Sequence, residues 1–60
     1  MVIHLIGILD SEREEVFAEI TANGFEWDYA VVGLEVSGSN YCIESFTKWL
    51  DSMDILWCEI

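Results

Sequence analysis

Proline is absent from this chain of sixty residues, and positive charge nearly so: one Lys and one Arg stand against twelve Asp and Glu, for a formal charge of −10 at pH 7. Two cations cannot neutralise a phosphate backbone, which excludes direct nucleic-acid binding, and the same shortage removes attraction to an anionic membrane surface. Without proline, a repeat or a low-complexity tract, nothing marks a linker, so residues 1–60 read as a single compact domain. A chain this short buries only about 60% of the surface that its unfolded form exposes. That leaves little room for the cleft of a multi-part enzyme, and a non-enzymatic role is expected. Long apolar runs are missing too. Met1 to Leu9 falls well short of the roughly 20 residues of a membrane span and lacks the basic start and small-residue cleavage site of a signal peptide. The expected location is the cytoplasm. In that reducing compartment Cys42 and Cys58 are expected to be free thiols that pack as small hydrophobes.

What is present is apolar. Hydrophobic residues make up 53% of the chain and the mean hydropathy is +0.35, so the charge does not come with the low hydrophobicity that keeps chains disordered. Val2 to Leu9 is almost continuously apolar and β-branched, the pattern of a strand in the middle of a sheet. Ser11 stands three residues before Glu14, an S-x-x-E capping box, and predicts the start of a first helix. Val16, Phe17 and Ile20 mark its inner face, and Asn23-Gly24 supplies a left-handed end. Phe25 to Val36 opens with alternation, Phe25, Trp27 and Tyr29 against Glu26 and Asp28, and predicts a second strand; the alternation fails after Tyr29 and Gly33 fits a bulge or bend, so the stretch is either one bent strand or two short ones. Ser39 or Asn40 caps a second helix whose inner arc holds Cys42, Ile43, Phe46, Trp49, Leu50 and Met53, with Glu44, Thr47, Lys48 and Asp51 opposite. Ile55 to Ile60 reads as a third strand.

The order β-α-β-α-β predicts an α/β or α+β domain, a three-stranded sheet packed with two amphipathic helices and at least partly parallel. Two helices on one side of such a sheet leave its other face uncovered; with the first strand central, one helix could instead cover each face, thinly, and both arrangements leave apolar area exposed. Trp27, Tyr29 and Trp57 are candidates for that open face, as aromatic anchors for a partner or for a homodimer.

Residues able to do chemistry are few. His4 with Cys42 or Cys58 forms a conceivable nucleophilic pair, on residue identity alone, and is the basis of an alternative reading as a small Cys/His enzyme. The same three residues lack the fourth ligand and the short paired spacing of a zinc site. The acidic stretch Asp10 to Glu15 has no alternating ligand series for Ca²⁺, and reads as a helix start with acids at its positive dipole end. No metal or cofactor is expected.

The acidity itself asks for an explanation. Net charges of about 2 to 8 already keep a small domain soluble, and further repulsion costs stability. The excess points to a basic partner, steered by charge complementarity toward Glu12, Glu15 and Glu19 on the first helix, Glu26 and Asp28 on the second strand, and Glu44 and Asp51 on the second helix. In size and charge the chain is similar to compact acidic inhibitors, among them phage-type anti-defence factors, antitoxin-like proteins and nucleic-acid mimics, although no motif is shared; a phage product of this kind would act in the host cytoplasm. The expected function is thus a protein-binding module that occupies the basic, nucleic-acid-handling surface of a target. A homo-oligomeric structural or regulatory module, with the acids serving solubility, is the alternative.

Overall fold

Val2–Leu5 forms the first strand, β1, in the computed structural model, which describes all sixty residues. The apolar run outlasts the strand: Ile6 still donates its N–H to the Leu56 carbonyl (2.8 Å), and the chain then leaves the sheet. A 3-10 turn at Asp10–Glu12 leads into α1, Arg13–Asn23. The predicted Ser11–Glu14 box is not the device that starts the helix. One turn earlier, the Glu12 carboxylate accepts the Leu9 N–H at 3.2 Å while the Glu12 N–H donates to the Leu9 carbonyl at 2.9 Å. Leucine has no side-chain acceptor, so only the carboxylate half of a capping box forms.

Both helices end alike. At the end of α1, Gly24 turns left-handed (φ 69°), its N–H reaches the Thr21 carbonyl and the Phe25 N–H reaches Ile20. At the end of α2, Asn40–Ser52, the Asp54 N–H reaches Asp51 and the Ile55 N–H reaches Leu50, with Asp54 left-handed at φ 58°. These are paired Schellman closures, one on the residue suited to it and one on an aspartate. The α2 N-cap is Ser39, whose Oγ accepts the Cys42 N–H at 3.4 Å. Thr47, expected on the outer arc of α2, is buried instead, its hydroxyl donating to the Glu44 carbonyl one turn back (2.7 Å).

Of the two readings of Phe25 to Val36, one bent strand or two short ones, the structure has the second, as a hairpin: β2, Glu26–Tyr29, and β3, Leu34–Ser37. The turn centres on Val31 and Val32. Gly33 makes it possible, since its φ is +77° and a Cβ there would lie 1.8 Å from the Leu5 carbonyl oxygen. With β4, Trp57–Glu59, the sheet has four strands, not three, in the order β2-β3-β1-β4, and every neighbouring pair is antiparallel. The expectation of a partly parallel sheet is corrected by how the crossovers land. β1 and β2, joined by α1, do run parallel, but β3 lies between them; β3 and β4, joined by α2, have β1 between them. This is the double split β-α-β arrangement of an α+β domain.

Both helices pack on one face of the sheet. Ile3 and Leu5 of β1 and Leu34 and Val36 of β3 meet Val16 and Ile20 of α1 and Ile43, Phe46 and Leu50 of α2 in one buried cluster. Phe25 closes one end of it against Phe46, ring centroids 5.3 Å apart. Neither helix is long and apolar enough to cross a membrane.

Candidate functional site

The face of the sheet turned away from the helices has no cover, and its composition follows from the register. Strand residues alternate between faces, so the partners of the buried set Ile3, Leu5, Leu34 and Val36 stay on the helix side and the residues between them point outward. Two full rows cross the open face. One runs Glu26, Ser37, Val2, Ile60; the other runs Asp28, Glu35, His4, Cys58. A third, shorter row pairs Ile6 with Leu56.

Read from β2 toward β4, each full row begins with a carboxylate and ends on an apolar side chain or a thiol. The face is therefore sorted. Glu26, Asp28 and Glu35 occupy the β2–β3 half, around a shallow groove that also takes in Val2, Trp27 and Ser37. Val2, Ile6, Leu56 and Ile60 occupy the β1–β4 half, and all four are exposed. Neither cation lies here, because Arg13 and Lys48 belong to the helical layer. Asp28 and Glu35 stand directly opposite each other on neighbouring strands. Like charges in that position repel, which is tolerable for folding only as a modest cost.

Of the seven acids singled out in the sequence, only Glu26 and Asp28 meet on this face. Glu12 ends the 3-10 turn before α1, Glu15 and Glu19 lie along α1, and Glu44 and Asp51 lie along α2. Several already serve the fold: Glu12 closes the turn before α1, the Glu19 carboxylate accepts from Asn23 at 3.5 Å, and Asp51 accepts the Trp57 indole N–H at 2.9 Å. Glu35 was missed. Its signal was the alternation Leu34-Glu35-Val36, readable only once Ala30 to Gly33 is taken as a turn.

The aromatic candidates change faces. Trp27 is registered with Val36, Tyr29 with Leu34 and Trp57 with Leu5, so all three sit on the helix side, contrary to their expected place on the open face. They remain accessible because two helices cannot cover four strands, and the edge strands overhang. Trp27 stacks edge-on against Phe17 of α1 (4.9 Å) and against Tyr29 (5.1 Å), which leaves Tyr29 68% exposed. The result is an aromatic ledge along β2.

The Cys/His pair is resolved in part. Cys58 is the cross-strand neighbour of His4, whereas Cys42 lies on α2 on the other side of the sheet, so the three cannot converge on one metal ion. No group of three or more His, Cys, Asp or Glu side chains is placed to hold one. The His4 Nε2–H donates to the Val32 carbonyl, tying β1 to the hairpin turn. A separate cavity of about 310 Å³ opens where that turn meets the start of α1. Seven of its nine lining residues are hydrophobic, with Arg13 the one charged group, so it offers little converging polar chemistry. Compared with known proteins, the chain matches no family model, no curated protein and no solved structure.

Proposed function

We propose that this protein is a small acidic binding module that docks on the basic, nucleic-acid-handling surface of a target protein and blocks it. The observation that carries the reading is the sorted open face: Glu26, Asp28 and Glu35 gathered without a Lys or Arg beside exposed Val2, Ile6, Leu56 and Ile60. Charge alone would be served by acids scattered over the helices. Carboxylates bordering a flat apolar area match what a nucleic-acid-binding surface presents, namely Lys and Arg around exposed apolar and aromatic side chains. The acids would steer the encounter and the apolar half would hold the complex. The acidic helices add long-range attraction without belonging to the contact.

The test is displacement of a labelled oligonucleotide from a Lys- and Arg-rich nucleic-acid-binding protein as this protein is added. Displacement is expected at low salt and should weaken as salt rises, since the charges involved are exposed. It should also weaken in the variant Glu26→Gln, Asp28→Asn, Glu35→Gln. If nothing is displaced at low salt, or the triple variant competes as well as the native chain, the reading fails.

A further inference from the structure

Docking on a flat face leaves one property of β2 unused. It is an edge strand: its four residues pair with β3 on one side and with nothing on the other, and all four are exposed. The ladder fixes which backbone groups face outward. The Ala30 N–H bonds the Gly33 carbonyl (3.1 Å), and in an antiparallel pair bonded and non-bonded positions alternate, so Trp27 and Tyr29 turn their N–H and C=O groups away from β3. The Tyr29 N–H confirms this, since it is donated at 2.8 Å to the carboxylate of Asp28. That local bond blunts the edge, as native edge strands commonly are. The Trp27 N–H and both outward carbonyls are left for another chain.

We propose that β2 accepts an extended segment of the partner as a fifth, added strand, and that this segment alternates basic with apolar residues. The inference rests on the acidic-module reading and specifies how the contact is made. The alternation is dictated by the two sides of β2. On the open face an added strand would lie beside Glu26 and Asp28, with Glu35 one strand further in, which calls for Lys or Arg at every second position. On the helix side it would lie beside the ledge of Trp27 and Tyr29, which calls for apolar residues between. Four strand residues span about 13 Å, so a segment of four to six residues suffices. Main-chain bonds would supply affinity and the alternating side chains specificity.

The other edge, β4, is a poorer acceptor for such a segment, because Leu56, Cys58 and Ile60 give its open side no charge. A second copy of this chain is a poorer occupant of β2, because two β2 edges would set Glu26 and Asp28 against their own counterparts between bodies each carrying −10.

The test uses the intact protein and four fluorescent peptides of identical composition apart from methyl groups. One alternates Lys with Val, one carries the Lys and Val in two blocks, and two alternate but are N-methylated either at every Lys or at every Val. Only one row of N–H groups in an added strand faces its host, so methylating that row should weaken binding by about tenfold or more, while methylating the other row should leave affinity unchanged. The block peptide should bind more weakly than the alternating one. Loss on Val methylation would mark an antiparallel added strand and loss on Lys methylation a parallel one; either result supports the proposal. Equal affinity of the two methylated peptides overturns strand addition. If, in addition, the block peptide then binds as well as the alternating one in a salt-sensitive way, the acidic-module reading survives alone. If no peptide binds even at low salt, both fail. A dimer that light scattering detects and that the alternating peptide does not dissociate assigns the β2 edge to a second copy and also overturns the proposal.

Discussion

Replacing Glu35 with Gln should make the protein more stable and a worse binder. Glu35 faces Asp28 directly across the β2–β3 pair, both side chains are exposed, and Glu35 makes no hydrogen bond that Gln would break. Two carboxylates about 6 Å apart in water repel by about 0.7 kcal/mol, and physiological salt, with a screening length near 8 Å, cuts that by roughly half. Favourable side-chain pairs at opposed strand positions are worth a similar amount, about 0.2–1 kcal/mol, and like charges there act in the opposite direction. Glu35→Gln should therefore gain about 0.3–0.7 kcal/mol, which in a domain this small raises the melting temperature by about 2–6 °C. Urea titration followed by tryptophan fluorescence, at low salt and at about 0.5 M salt, reads the gain and its screening. A second variant, Asp28→Asn, closes a double-mutant cycle, and the gains of the two should not add, since either substitution already removes the pair. A loss of stability in Glu35→Gln, or a gain that high salt leaves undiminished, would refute this reasoning. So would unchanged affinity for a basic partner, because the repulsion is worth keeping only if the carboxylates are used.

Three further outcomes follow from the packing. Gly33→Ala should cost more than about 3 kcal/mol, since the residue is left-handed and its new Cβ would fall 1.8 Å from the Leu5 oxygen; circular dichroism melting should show the cooperative transition lost or far lower, and a near-native melt would refute the close approach. Asp54→Gly, at φ 58° in the closure of α2, should raise stability by about 0.5–1 kcal/mol, read as a higher urea midpoint with unchanged slope. Leu50→Ala, at a side chain with no exposure, should cost about 2–5 kcal/mol, a large share of the total for sixty residues; a loss under about 1 kcal/mol would mean that α2 is not packed as described.

Local chemistry made much of this fold legible in advance. The periodicity of Ile43, Phe46 and Leu50 located the inner face of α2, the turn cluster narrowed its cap to Ser39 or Asn40, and Gly24 marked the end of α1, because each of those depends on neighbours within a turn or two. The hairpin was harder to see. Val31 and Val32 are β-branched and apolar, strand residues by composition, yet they occupy the tip of the turn, with Val31 fully exposed; only Gly33 marks the break, and it also fits a bulge. Missing the turn removed a strand, and with it the Asp28–Glu35 register that assembles the site. The facing of Trp27 and Tyr29 was lost for the same reason. Alternation within β2 was plain, but which of its two sides met the helices depended on pairing with β3, a contact the sequence of β2 does not contain.

The position of β1 has a consequence for how the molecule comes into being. This first strand of the domain is an inner one, flanked by β3 on one side and, on the other, by β4, more than fifty residues later; the Ile60 N–H even reaches back to the Val2 carbonyl at 3.1 Å. During folding β1 can therefore pair with β3 while its second flank, lined by Ile3, His4 and Leu5, stays open until Trp57–Glu59 dock. Pairing across so much chain is slow relative to helix formation. A chain in which Trp57–Glu59 have not yet docked has β2 and the apolar β1 as its unpaired edges instead of the finished sheet's β2 and β4, and in that interval the twelve carboxylates act as a guard against misassembly, holding neighbouring chains apart by repulsion until β4 closes the sheet.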